Sequence, residues 1–137
     1  MTKSYNPHDF PPEIDDYFRF NWSNNLVDLA AGSSSVPLSS FIWQLDCPFW
    51  KTQKGCSYNL RPMEVLLSPN EFKVHFKRIL DADVSFPLIV AEINETKVIL
   101  DGLHRLASLY RCGVEILEYR MVDTALLGSR SISTRSN

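Results

Sequence analysis

Val98-Ile99-Leu100-Asp101-Gly102-Leu103-His104-Arg105-Leu106-Ala107 carries an apolar, β-branched run into a helical pattern through a glycine, with a histidine and an arginine just beyond it. A helix start already carries roughly half a positive charge, so further cations there cost about 0.3–1 kcal/mol unless an anion sits among them. Phosphate is the anion that fits. The amides of the first turn would face it, Gly102 would let the main chain come close, and Arg105 would grip two oxygens. Gly102, Leu103, His104 and Arg105 are therefore the expected phosphate-binding turn. Asp101 precedes it and is equally suited to capping the helix through its carboxylate.

Working outward, Phe86–Glu92 and Lys97–Leu100 are short apolar runs separated by a polar Ile93-Asn94-Glu95-Thr96, which predicts a hairpin. Leu103, Leu106, Ala107 and Tyr110 recur at helical spacing up to Cys112, and Gly113 stands where a left-handed C-terminal cap belongs. Val114–Val122 reads as a strand, although Leu117 breaks its alternation. Upstream, Ser68-Pro69-Asn70-Glu71 has the grammar of a helix start, an N-cap serine followed by proline and then glutamate. Phe72, Phe76, Ile79 and Leu80 would form its buried stripe, with His75 as a packed or boundary residue.

The chain has 137 residues, 45% of them hydrophobic, which is the size of one domain with a real core. A formal charge of −2, with both signs mixed along the sequence, gives no pull toward nucleic acid. Cys47, Cys56 and Cys112 are odd in number and lack paired metal-ligand spacing, so reduced thiols are expected rather than a disulfide framework or a zinc site. No apolar stretch approaches the roughly 20 residues of a membrane span, and no hydrophobic signal core follows Met1. A cytoplasmic protein without membrane contact is the expectation. Residues 1–34 read as an aromatic-rich N-terminal arm, with helical turns at Leu26–Ala31 and a Gly32–Ser35 connector; residues 129–137 read as a polar tail. Between them lies one domain, 35–128, with an inserted loop at about 47–61. The tryptophans of that loop either cover the core, the simpler reading, or belong to a lid in which Lys51 and Lys54 approach a polyphosphate.

Asp-Gly-Leu-His-Arg-Leu-Ala at 101–107, with a hairpin before it and Cys112-Gly113 and a strand after it, resembles the ParB/sulfiredoxin superfamily. Val36-Pro37-Leu38 is similar to the first strand of that fold, Phe72–Leu80 to its helix, and Phe86–Val90 to its Pro-Ile-apolar strand. Residues 35–123 carry the likeness. It implies a small α/β domain, a mixed sheet with packed helices, that binds nucleotide phosphates at the 102–105 turn. Leu103 stands where sulfiredoxins carry their catalytic cysteine, and Cys112 lies about two and a half helical turns farther on, so thiol chemistry does not follow. The helix-turn-helix of partition proteins has no counterpart either. Asp-Gly-x-His-Arg is nearest the branch that includes ADP-dependent free-serine kinases, which implies Asp101 as a catalytic, metal-binding or proton-accepting carboxylate beside ATP, ADP or CTP with Mg²⁺. Asp46, Glu64, Asp83 and Glu92 are candidates for a second carboxylate.

Two functions follow from the sequence. One is a phosphotransferase or nucleotide hydrolase acting on a small hydroxyl compound, with positioning, Mg²⁺ and arginine supplying the catalysis. The other is a non-catalytic module that responds to nucleotide by ordering a partner surface. DNA binding or nuclease activity is the weakest alternative on charge grounds.

Overall fold

The computed structural model describes residues 20–21, 29–52, 59–93, 95–126 and 128–129. Among the described residues six strands run in chain order: β1 (Phe20–Asn21), β2 (Ala31–Pro37), β3 (Leu88–Ile93), β4 (Thr96–Asp101), β5 (Ile116–Val122) and β6 (Gly128–Ser129). The helices are α1 (Pro62–Leu67), α2 (Lys73–Asp81) and α3 (Leu103–Arg111), with 3-10 turns at Leu38–Ser40, Ile42–Asp46 and Thr124–Leu126. A four-stranded mixed sheet has the order β2-β5-β3-β4, and β1 pairs with β6 separately. The architecture is a small α/β fold, as expected.

The hairpin forms because β3 and β4 are buried along most of their length and meet antiparallel, with Ile89 opposite Asp101 and Ile93 opposite Thr96. Glu95 makes the tight reversal at φ 67°. The chain then passes through α3 and returns as β5, which lies parallel to β3. Leu106 and Ala107 are the buried residues of α3, and they join Ile79 of α2 and Val65 of α1 in the same core as the sheet. Both α1 and α2 pack against α3. Gly113 takes φ +77 just past the helix end, in the capping conformation its sequence position predicts.

Four expectations need correction. Gly32–Ser35 is no connector but the middle of β2, pairing antiparallel with β5, so the boundary drawn between residues 34 and 35 falls inside a strand. An edge strand exposed along nearly its whole length does not need apolar alternation, which hides it from a hydrophobicity reading. Ser68 does not open a helix; its amide bonds the Glu64 carbonyl and closes α1, and α2 begins only at Lys73. The proline-plus-glutamate grammar operates one helix earlier, where Pro62 takes the first turn and the Glu64 carboxylate accepts the Arg61 amide at 2.8 Å. Leu80 lies outside the buried stripe, being 52% exposed. β5 starts at Ile116 rather than Val114.

The described residues of the 47–61 segment, 47–52 and 59–61, do cover the core. Cys47, Phe49, Trp50 and Leu60 are buried, and Trp50 bridges Leu60 through the backbone. Lys54 and Cys56, the N-terminal arm before Leu29 apart from Phe20 and Asn21, and the tail after Ser129 lie outside the described residues. Ser129 itself belongs to β6.

Gln44 has a structural role that its sequence context gives no hint of. β4 is an edge strand, and the Gln44 side chain, fully buried, supplies what a neighbouring strand would. Its amide donates to the Lys97 carbonyl at 3.0 Å and its oxygen accepts from the Ile99 amide at 2.9 Å. The outer rim of β4 is thus closed at the base of the turn into α3.

Candidate functional site

The turn from β4 into α3 is built around Gly102, which occupies the N-cap position at φ 119°, ψ 18°. A side chain there would be strained, and a Cβ would stand 2.7 Å from Leu88 Cδ2. A substitution would therefore have to push the Leu88 methyl aside as well as hold a left-handed backbone. Among the described residues, no side chain caps the helix. The expected Asp101 cap is therefore not formed; with an unsubstituted glycine at the N-cap position, the aspartate sits one residue too early and turns outward to Arg105.

Arg105 holds this corner together. Its Nη1 donates to the Pro87 carbonyl at 2.6 Å, just before β3, and its Nη2 bonds Asp101 Oδ2 at 3.1 Å. Arg105 is 18% exposed at its side chain and Asp101 50%, so the guanidinium is largely sheltered while the carboxylate faces solvent. The Glu118 carboxylate on β5 accepts from the Ser33 hydroxyl. Of the four candidate second carboxylates, Asp83 is the one that feels Arg105. Hydrogen bonds from the Ser85 hydroxyl and amide hold its pKa below the usual value, with the Arg105 charge adding to them. Asp46 is exposed, Glu64 is used in the start of α1, and Glu92 stands opposite Lys97 in the strand register at the other end of the hairpin. There Glu92 lines a cavity of about 410 Å³ together with Asp123 and Met121.

His104 departs from expectation. Its ring lies on the Trp50 indole with centroids 4.1 Å apart and planes 12° from parallel. His75, from α2, lies on the same indole at 4.7 Å and 2°. The two imidazoles are side by side, 11° from coplanar, with His75 Nδ1 3.3 Å from His104 Nε2. His75 Nε2 is 2.7 Å from the Lys51 carbonyl, which only accepts, so Nε2 carries the proton. His75 Nδ1 is then an acceptor, and His104 Nε2 donates to it. A chain of two hydrogen bonds thus runs from α3 through α2 to the backbone at Lys51.

Burial, the neighbouring His75 and the Arg78 charge push the His104 pKa down to about 4. Burial is also the main cause that lowers His75. Both rings are neutral at pH 7, and the expected imidazolium at the turn is absent: Arg105 is the cation there, and His104 contributes only its amide. Trp50 is itself 7% exposed, with His75 and His104 against its ring, so it offers no open face for a nucleobase. His75 and Trp50 have no partner in sequence spacing that announces them; only the packing of α2 against α3 and of residue 50 against both brings the three rings together.

Among the described residues, no three His, Cys, Asp or Glu side chains converge as a metal cluster. Cys47, buried, has its pKa pushed up to about 12, which leaves it an inert thiol. Among the described residues, no helix is long and apolar enough to cross a membrane. No protein-family model, no curated protein and no solved structure matches the chain.

Proposed function

We propose that the chain binds a phosphate group, of a nucleotide or another phosphorylated small molecule, at the corner formed by Asp101, Gly102, Leu103, His104 and Arg105. One observation carries the proposal: a sheltered guanidinium stands at the start of a nine-residue helix that no side chain among the described residues caps. The first-turn amides and Arg105 then form a single electropositive corner. The Asp-Gly-Leu-His-Arg likeness to the ParB/sulfiredoxin superfamily supports the same assignment, with ATP, ADP or CTP and Mg²⁺ as the ligands it implies. Asp101, half exposed and hydrogen-bonded to only one guanidinium nitrogen, is the carboxylate free to turn toward Mg²⁺ or a substrate hydroxyl. Phosphoryl transfer or nucleotide hydrolysis is the activity favoured, because such reactions ask the protein mainly for positioning and charge.

Calorimetric titration with ATP, ADP and CTP, with and without Mg²⁺, tests binding, and incubation with small hydroxyl compounds tests turnover. Saturable binding that Arg105→Ala weakens about tenfold or more supports the site. Product that disappears in Asp101→Asn, with binding retained, supports the enzyme. Binding without product favours the second function, a nucleotide-responsive module. That alternative draws on one contact: His104 stacks on Trp50, so a change at the turn reaches the 47–61 segment directly.

A further inference from the structure

We propose that His75 and His104 form a binding site for a borderline divalent transition-metal ion, Zn²⁺ or Cu²⁺, with His75 Nδ1 and His104 Nε2 as the protein ligands and water completing the shell. The proposal does not rest on the phosphate reading, since it uses the imidazole of His104 and not its amide. Two nitrogens bound at about 2.0–2.1 Å to one tetrahedral ion stand about 3.3–3.4 Å apart. His75 Nδ1 and His104 Nε2 are 3.3 Å apart. For an N–H donor that separation is long, since such bonds centre near about 2.9–3.0 Å, so the hydrogen bond that an ion displaces is a weak one.

The rings are also held as ligands are held. His75 donates its other nitrogen to a backbone carbonyl, Lys51 O at 2.7 Å, which is the outer-shell bond that fixes the tautomer of a metal-binding histidine. The Trp50 indole supports both rings from one side and keeps them near coplanar. The bond from His75 Nε2–H to the Lys51 carbonyl leaves the His75 Nδ1 lone pair facing His104. His104 needs only to move its proton from Nε2 to Nδ1, so binding releases no net proton. Two protein ligands and the nearby Arg78 charge make the site open and exchangeable rather than structural. Imidazole nitrogen selects zinc, copper and nickel over magnesium or calcium, and among these copper binds tightest.

The test is titration of the purified full chain with Zn²⁺ alone and Cu²⁺ alone at pH 7.5. One ion per chain is expected, with the imidazole ¹⁵N signals of His75 Nδ1 and His104 Nε2 moving in the Zn²⁺ titration. Cu²⁺ should quench tryptophan emission, and Trp50→Phe should remove most of that quenching while leaving the stoichiometry at one. His75→Gln or His104→Gln should each weaken Zn²⁺ binding about tenfold or more, whereas His8→Gln, at the chain's third histidine, should not. If the imidazole signals stay in place up to millimolar Zn²⁺, or both glutamine variants bind as the native chain does, the proposal is overturned. The ¹⁵N measurement needs no variant and decides the matter even where a substitution unfolds the chain.

Discussion

The Gly102 backbone and the Leu88 side chain meet so closely that a Cβ on residue 102 would lie 2.7 Å from Leu88 Cδ2. Leu88 is buried at the start of β3, and Gly102 at φ 119° begins α3, so this contact sets how near the helix start comes to the sheet. Arg105 reaches the Pro87 carbonyl across the same gap. Packing and the candidate site therefore depend on one glycine.

Gly102→Ala should cost about 1–3 kcal/mol, from the left-handed backbone together with the overlap. Urea denaturation measures it. Trimming Leu88 to alanine in the Gly102→Ala background should cost less than the same trim in the native chain, because it also relieves the overlap. Fully additive losses would show that backbone strain alone is responsible.

Gln44→Leu should leave the Lys97 carbonyl and the Ile99 amide without partners at the rim of β4. Each buried group so orphaned costs about 1–3 kcal/mol. Hydrogen exchange at Ile99 should accelerate well beyond that at Val90 in the sheet interior. Equal acceleration at both would indicate global destabilisation and count against a local closing role for Gln44.

Acid should loosen the histidine stack before it affects Asp83. His104 titrates near 4 in the folded chain against an ordinary 6.5, so the folded state binds fewer protons between those values. Its contribution to stability is complete above pH 6.5 and is lost as pH falls toward 4, and His75 acts in the same direction. Asp83, with its pKa lowered from 3.8, loses its contribution only below that range. Denaturation midpoints measured from pH 7.5 to 4.5 should fall, and His104→Gln should flatten the slope. An unchanged slope in that variant would remove His104 from the account.

The hairpin, α3 and β5 are legible in the sequence: the hairpin strands are apolar runs buried on both faces, α3 has a helical stripe that ends at Gly113, and β5 follows that glycine as a run of strand formers. Gly102 is legible too, although its close partner is Leu88 as well as any ligand. Other features are hidden for physical reasons. β2 lies on an exposed edge, so its serines carry no hydrophobic period. Ser68-Pro69 imitates a helix start while it follows a helix end. Asp101 reads as a cap, yet whether a carboxylate reaches an amide or an arginine depends on the φ of the next residue. The charge on His104 depends on Trp50 and His75, which lie 54 and 29 residues away along the chain, so no local pattern could have shown that it is neutral.

Arg105→Ala should lower stability by about 0.5–1.5 kcal/mol through loss of the Pro87 bond, with little contribution from the half-exposed Asp101 pair. Arg105→Lys should restore part of that stability but not two-oxygen recognition of an anion. A variant pair in which lysine binds phosphate as well as arginine does would mean that charge, and not the planar fork, is what the corner supplies.

The most direct measurement is an amide chemical-shift titration of the native chain with inorganic phosphate, ADP and ATP. Saturable shifts centred on Gly102, Leu103, His104 and Arg105, larger for the nucleotides and abolished in Arg105→Ala, are the expected result. Signals at 101–106 that stay in place at saturating ligand, or shifts that centre on another part of the chain, would contradict a phosphate site at the start of α3.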